Sequence, residues 1–152
     1  MKKIKAFVII FFSVYSLFFV AGSLLAPIMA HFGQYELSSQ LTATFMYSCH
    51  QKPDKSFWIL GYPVALCCRC LGFYTGVAVS GFMTAFNKLK MPLKLYIILF
   101  LLAAIDIALN YLFKISTANI VRFSAGIIMG FLFISTLFYI FEKGEKLWDL
   151  KN

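Results

Sequence analysis

The sequence predicts an all-α integral membrane protein, with four transmembrane helices in a bundle and one extracytoplasmic loop that carries a short interfacial helix. Three observations lead to this prediction. The 152 residues are 61% hydrophobic and only 13% charged, which excludes a soluble domain of ordinary composition and a disordered chain. Four apolar runs are long enough to cross a hydrocarbon layer about 30 Å thick. The basic residues behind the net charge of +8 lie mostly in short caps between those runs.

The whole chain, residues 1–152, is predicted to form a single membrane domain. We expect the spans at about residues 6–30, 64–86, 93–113 and 119–141, and the outer loop at 31–63. The first run follows a basic start, as a secretory signal would. Its apolar core exceeds the roughly 7–15 residues of such a signal, however. We therefore interpret it as an uncleaved membrane anchor.

Lysine residues predict the orientation of the chain. Nine of them precede the first span, lie between the second and third spans, or follow the fourth: Lys2, Lys3, Lys5, Lys88, Lys90, Lys94, Lys143, Lys146 and Lys151. Cytoplasmic loops carry an excess of Lys and Arg. Both termini are therefore predicted to be cytoplasmic, in the cytoplasmic (inner) membrane, with the loop 31–63 outside. This placement makes membrane lipid the expected partner and argues against nucleic acid.

A four-residue repeat marks one element of the outer loop. Leu37, Leu41 and Phe45 recur among serine, threonine and glutamine, which predicts a short helix lying on the bilayer surface. The alternative is a helix that packs as a cap over the bundle.

Three ionisable residues interrupt the predicted spans. Arg69, Asp106 and Arg122 are each costly in hydrocarbon unless they face a protein interior, a wet cavity or a partner. They are therefore the candidate catalytic residues, although an ion pair that only holds helices together is the alternative. Two arginines against one aspartate leave a positive remainder, which thiolates, an anionic lipid or an acidic small-molecule ligand would neutralise.

Small residues predict which spans touch. Two helix faces carry glycines and other residues at spacings of three or four positions. One, in the second span, comprises Arg69, Gly72, Gly76 and Ser80, and the other, in the fourth span, comprises Asn119, Arg122, Gly126 and Gly130. Such stripes allow helix backbones to approach closely. We expect the second and fourth spans to be in direct contact, with their arginines near each other and Asp106 as the counter-charge.

The four cysteines form the strongest chemical signal, because all of them lie between Cys49 and Cys70. A Cys-x-x-Cys pair with a further Cys and a His matches the ligands of tetrahedral zinc, and iron, copper and nickel accept similar sets. The predicted site binds a divalent metal ion, for which zinc is the first candidate, through four ligands: Cys49, His50, Cys67 and Cys70. Four nearby polar residues are candidates to support those ligands through hydrogen bonds: Gln51, Ser56, Tyr74 and Asn119.

Other interpretations of the cysteines remain open. A structural disulfide would join Cys49 to Cys67 or Cys70. A redox dithiol at Cys67 and Cys70 would make the protein a quinone-linked thiol oxidoreductase. If Cys49 or His50 does not bind, a metal ion would keep an open position, as in a metal-dependent membrane enzyme. The last alternative is a binding or transport component for an anionic lipid or a metal ion.

The combined motif resembles that of a known family. It comprises Cys49-His50-Gln51, Lys55-Ser56-Phe57, Cys67-x-Arg69-Cys70-x-Gly72-x-Tyr74-x-Gly76 and Asn119-x-x-Arg122-x-x-x-Gly126. These segments resemble the small multi-pass prokaryotic membrane proteins catalogued as domain of unknown function 2085. The resemblance implies a multi-pass membrane protein with an aspartate in the span after the Cys-x-Arg-Cys segment, a place that Asp106 fits. It implies no activity.

Overall fold

A computed structural model describes residues 2–85, 92–112 and 117–149 of the chain. Within these residues the chain forms five α-helices, which are α1 (Lys2–His31), α2 (Tyr35–Phe45), α3 (Cys68–Ala85), α4 (Leu93–Tyr111) and α5 (Asn119–Asp149). Between α2 and α3 lie a single 3₁₀ turn, Pro53–Lys55, and two antiparallel strands, β1 (Trp58–Ile59) and β2 (Tyr62–Pro63). Several predicted features lie outside the described residues, namely the span ends at Phe86 and Phe113 and the lysines Lys88, Lys90 and Lys151.

The predicted fold is confirmed in its coarse form, because the described residues are mostly helical. Among the described residues, two helices are long and apolar enough to cross a membrane, over Ile4–His31 and Asn119–Glu145. The helices also bury several polar side chains and expose many large apolar ones. Their buried side chains include several hydroxyls: Ser13, Ser16, Ser23, Ser80 and Thr84. Their exposed side chains include many large apolar ones, such as Phe7, Phe11, Phe18, Phe100, Leu101 and Ile140. This distribution suits a surface surrounded by lipid.

α3 and α5 meet backbone to backbone, which confirms the contact predicted from the small-residue stripes. A Cβ atom added at Gly72 would collide with the carbonyl oxygen of Phe123, and one at Gly76 with that of Ile127. The reciprocal contacts, in which a glycine of α5 meets a carbonyl of α3, are made at Gly126 and Gly130. Since the residue numbers of the contacting pairs increase together along both helices, α3 and α5 run parallel.

α1 runs antiparallel to α3. Near one end, the Ser13 side chain fills the space beside Gly81, so that a Cβ there would strike its hydroxyl oxygen. Near the other end, the rings of Phe19 and Tyr74 pack with centroids 4.5 Å apart. As the numbering rises along α1, it falls along α3.

α4 runs antiparallel to α5. The hydroxyls of Tyr96 and Thr136 are 2.8 Å apart, whereas at the opposite end Arg122 donates to the Asn110 side chain. Helix direction therefore alternates along the chain through α1, α3, α4 and α5.

The helix predicted in the outer loop is present as α2, and it folds back along α1. The Ser38 hydroxyl donates to the Ala26 carbonyl at 2.8 Å. At the end of α2, the fully buried Phe45 packs on Phe19 with ring centroids 5.0 Å apart. Phe45 thus serves as a core residue, and α2 covers α1 in the manner of the packed-cap alternative.

The second predicted span begins four residues later than expected. The prediction placed its start at Val64, but α3 begins at Cys68. The Val64 N–H donates to the Phe57 carbonyl at 2.8 Å, and the Ala65 N–H donates to the Ser23 carbonyl at 3.3 Å. These bonds hold the segment in a non-helical conformation against the hairpin and α1. Tertiary hydrogen bonding therefore overrides the local helical preference.

The α3–α5 contact yields a stability prediction. Gly126→Ala places a methyl group against the Arg69 carbonyl, so the helices must separate, and we expect a loss of about 1–3 kcal/mol. The measurement is thermal unfolding of the detergent-purified protein. Ser124→Ala is the matched control, because Ser124 is exposed on the same helix. Equal stability of the two variants would contradict the close contact.

Candidate functional site

Three of the four predicted metal ligands converge. The Sγ atoms of Cys49, Cys67 and Cys70 all lie within 4.8 Å of one another. Three sulfurs around one tetrahedral zinc ion, each about 2.3 Å from it, would be about 3.8 Å apart. The cluster therefore needs only a small contraction to hold an ion. His50 is exposed and its ring nitrogens are not part of this group, although it adjoins Cys49.

Backbone amides point at the Cys49 sulfur. The N–H of Gln51 donates to it at 3.4 Å, and the N–H of Cys67 donates to it at 3.2 Å. Gln51 adopts a positive φ of 49°, and its side-chain amide ties the turn to α2 by donating to the Thr42 carbonyl at 2.6 Å. Donors of this kind stabilise a thiolate or a metal-bound sulfur.

Cys67 immediately precedes α3, where free helical amides are available. The backbone N–H groups of Arg69 and Cys70 lie close to its sulfur, as such groups lie close to the side chain of an N-cap residue. The positive end of the helix dipole favours negative charge there. The pKa of the Cys49 thiol is raised, first by its hydrogen bond with Cys67 and then by burial. Cys67 is thus the sulfur best placed to carry charge before an ion binds.

The thiol cluster adjoins an apolar core that contains Phe19, Phe45 and Leu66. The fourth cysteine, Cys68, is fully buried and its sulfur does not belong to the group of three. All four cysteines are free thiols in this structure.

The four residues predicted to support the ligands have different surroundings. Gln51 reaches the cluster directly through its N–H. The ring of Tyr74 packs on Phe19, with centroids 4.5 Å apart. Ser56 donates to the Lys52 carbonyl and is itself tied to α5, because its own carbonyl accepts from the Asn119 side chain at 3.2 Å.

A second group of polar residues lies between α3, α4 and α5. The Arg69 guanidinium pairs with the Asp106 carboxylate at 2.5 Å, as the sequence predicted. The Asp106 side chain is only 6% exposed, and its other oxygen accepts from Asn110 at 3.2 Å and from Thr117 at 3.1 Å. Thr117 was not predicted, because it precedes the fourth span and nothing in its local sequence marks it.

Arg122 joins this network through amides. It donates to Asn119 at 3.0 Å and to Asn110 at 3.1 and 3.3 Å. Since Asn110 also contacts Asp106, the two arginines share the carboxylate, one directly and one through an amide. The sulfurs and the charged residues thus form two adjoining groups, connected by the first turn of α3 and by the bond from Asn119 to the Ser56 carbonyl.

The ion pair yields a second prediction. Asp106→Asn leaves the Arg69 guanidinium without a counter-charge, which we expect to cost about 1–3 kcal/mol, below the range for a fully buried pair because the Arg69 side chain is 30% exposed. The measurement is thermal unfolding of Asp106→Asn, of Arg69→Gln and of the double variant, which together form a double-mutant cycle. The double variant should lose less than the sum of the single losses. Additive losses would show that the pair does not couple α3 to α4.

The comparisons with known proteins agree with the sequence motif. A family described as predicted membrane protein (DUF2085) matches residues 49–136. An uncharacterized protein of Methanocaldococcus jannaschii is 36% identical over 150 residues, which cover 92% of both chains. Another, of Methanothermobacter thermautotrophicus, is 31% identical over 93 residues, or 57% of this chain and 80% of the relative. No solved structure gives a significant match. The chain therefore belongs to the DUF2085 family of membrane proteins.

Proposed function

We propose that the protein is a four-span membrane protein that binds a divalent metal ion at the outer end of its bundle. Zinc is the first candidate for this ion. The ligands are Cys49, Cys67 and Cys70. The observation that carries this proposal is the mutual distance of the three sulfurs, all within 4.8 Å. Two segments far apart in the sequence supply them, so the cluster is a product of the fold.

The chemistry of the cluster supports a metal ion with an open position. Three thiolates and a divalent ion carry one net negative charge, which the positive end of α3 stabilises. Three protein ligands leave a fourth position for water, a substrate or the neighbouring His50, an arrangement typical of catalytic zinc. An acidic small molecule or an anionic lipid headgroup is the ligand class that the nearby arginines favour.

Helix direction and length support four spans. α3 has 18 residues and α4 has 19, which corresponds to about 27–29 Å of helix, close to the hydrocarbon thickness. α4 exposes a nearly continuous apolar surface that includes Leu95, Ile97, Ile98, Phe100, Leu101, Leu102 and Ile105. An aqueous surface would not favour such a helix. With α1 and α5, alternating directions give four crossings.

The orientation follows from which helix ends share a side. The Lys5 ammonium lies 3.7 Å from the centroid of the Phe138 ring, so the start of α1 and the end of α5 are on the same side of the bundle. The lysines at these ends favour a cytoplasmic location for that side. The thiol cluster then faces the outside of the cytoplasmic (inner) membrane.

Metal content tests the proposed site. Detergent-purified protein should contain about one metal ion per chain, and Cys67→Ser should lose it, because two remaining thiols hold an ion far more weakly than three. Cys68→Ala is the matched control, since Cys68 neighbours the cluster but lies outside it. Elemental analysis by mass spectrometry gives the identity and the amount of the ion.

The same preparation separates the alternatives. His50→Ala should keep the ion if the fourth position is open, and loss of the ion would make His50 a ligand. Metal-free protein with a reversible Cys67–Cys70 disulfide by thiol trapping would contradict the metal site and favour the thiol oxidoreductase. That alternative draws on one observation, the closeness of two sulfurs one helical turn apart at the start of α3.

Reporter fusions test the four-span topology. A fusion after Leu112, at the end of α4, should report the outer compartment, whereas a fusion after Asn152 should report the cytoplasm. Alkaline phosphatase activity and green fluorescent protein fluorescence give complementary signals. If the two fusions report the same side, α5 does not cross the membrane and the four-span arrangement is wrong.

A further inference from the structure

The hairpin formed by β1 and β2 carries a strained residue that the proposed metal site does not explain. Leu60 and Gly61 connect the strands, and both have positive φ, 52° and 85°. Two-residue turns of this type favour Asn-Gly or Gly-Gly, because L residues with larger side chains are strained at positive φ. Strain that persists in an exposed turn points to a role for the side chain held there.

The exposed side chains of the hairpin are large and apolar. Ile59 packs against the core beside α1. The residues on either side of it, Trp58 and Leu60, are 60% and 54% exposed. The indole N–H of Trp58 donates to the Pro53 carbonyl at 3.2 Å. Because its one polar atom already has a partner, the exposed part of the ring offers only apolar surface.

The position of the hairpin places these side chains near the outer end of α1. The Tyr62 hydroxyl lies 3.5 Å from that of Tyr35, the first residue of α2, which follows α1 after three residues. The turn to which Trp58 is bound follows one basic residue, Lys52, and ends at another, Lys55. Tryptophan at the headgroup level, with lysine nearby, is typical of an interfacial anchor.

We propose that the tip of this hairpin, Trp58 and Leu60, inserts into the outer interface of the bilayer that the bundle spans. The inference rests on the proposed four-span arrangement. The lipid interface supplies the apolar partner for both side chains and the phosphates for the lysines. The anchor fixes the loop that leads from Ser56 to Cys67, and with it the position of the thiol cluster relative to the bilayer surface.

Depth-dependent fluorescence quenching tests the anchor. The chain has two tryptophans, so Trp58 is the single tryptophan in the Trp148→Phe variant. In vesicles containing nitroxide-labelled phosphatidylcholine, Trp58 should be quenched more strongly by a label near the headgroup than by one near the chain end. Leu60→Asn, which suits positive φ and removes the apolar side chain, should reduce the shallow quenching at least twofold.

A reference variant separates failure of the anchor from failure of the spans. Leu102→Trp, made in a chain that lacks Trp58 and Trp148, places the fluorophore midway along α4 on its exposed side. This introduced indole should be quenched best by the deep label. Suppose that the deep label quenches this indole best, whereas Trp58 is quenched only by aqueous iodide, or by neither iodide nor the lipid labels. The proposed anchor is then wrong and the four-span arrangement is retained. If the Leu102→Trp fluorophore is quenched only by iodide, the four-span arrangement is wrong.

Discussion

The close approach of α3 and α5 is the constraint on which the rest of the structure depends. Glycines on each helix lie against backbone carbonyls of the other, with no room for a Cβ, so the register between the two helices is fixed by contact rather than by flexible side chains. That register brings Asn119 and Arg122, in the first turn of α5, beside the first turn of α3. The charged network is assembled at this junction, and the thiol cluster adjoins it at the first turn of α3.

The charged network is stable in an apolar surrounding because its members share partners. Asp106 accepts from a guanidinium, an amide and a hydroxyl. Arg122 is held by the side chains of two asparagines. Hydrogen bonds made inside the protein replace those that lipid cannot offer. The same network links three helices and, through the Ser56 carbonyl, the outer loop.

The thiol cluster depends on a different kind of contact, made by the backbone. Cys49 accepts hydrogen bonds from the N–H groups of Gln51 and Cys67, and Cys67 lies beside the first amides of α3. The non-helical segment before α3 is equally important. If the helix began at Val64, as its apolar sequence suggests, Cys67 would lie inside the helix, where the amides of Arg69 and Cys70 bond to preceding carbonyls and could not reach its sulfur.

The sequence by itself determined the membrane character, the helical class, the α3–α5 contact and the Arg69–Asp106 pair, because these follow from apolar run length, small-residue spacing and the cost of isolated charge in hydrocarbon. Tertiary structure decided that α2 packs on α1, that α3 begins at Cys68, and that Cys49 joins the cluster while His50 faces outward. Adjacent residues such as Cys49 and His50 have the same local sequence, so only long-range hydrogen bonds and burial can choose between them.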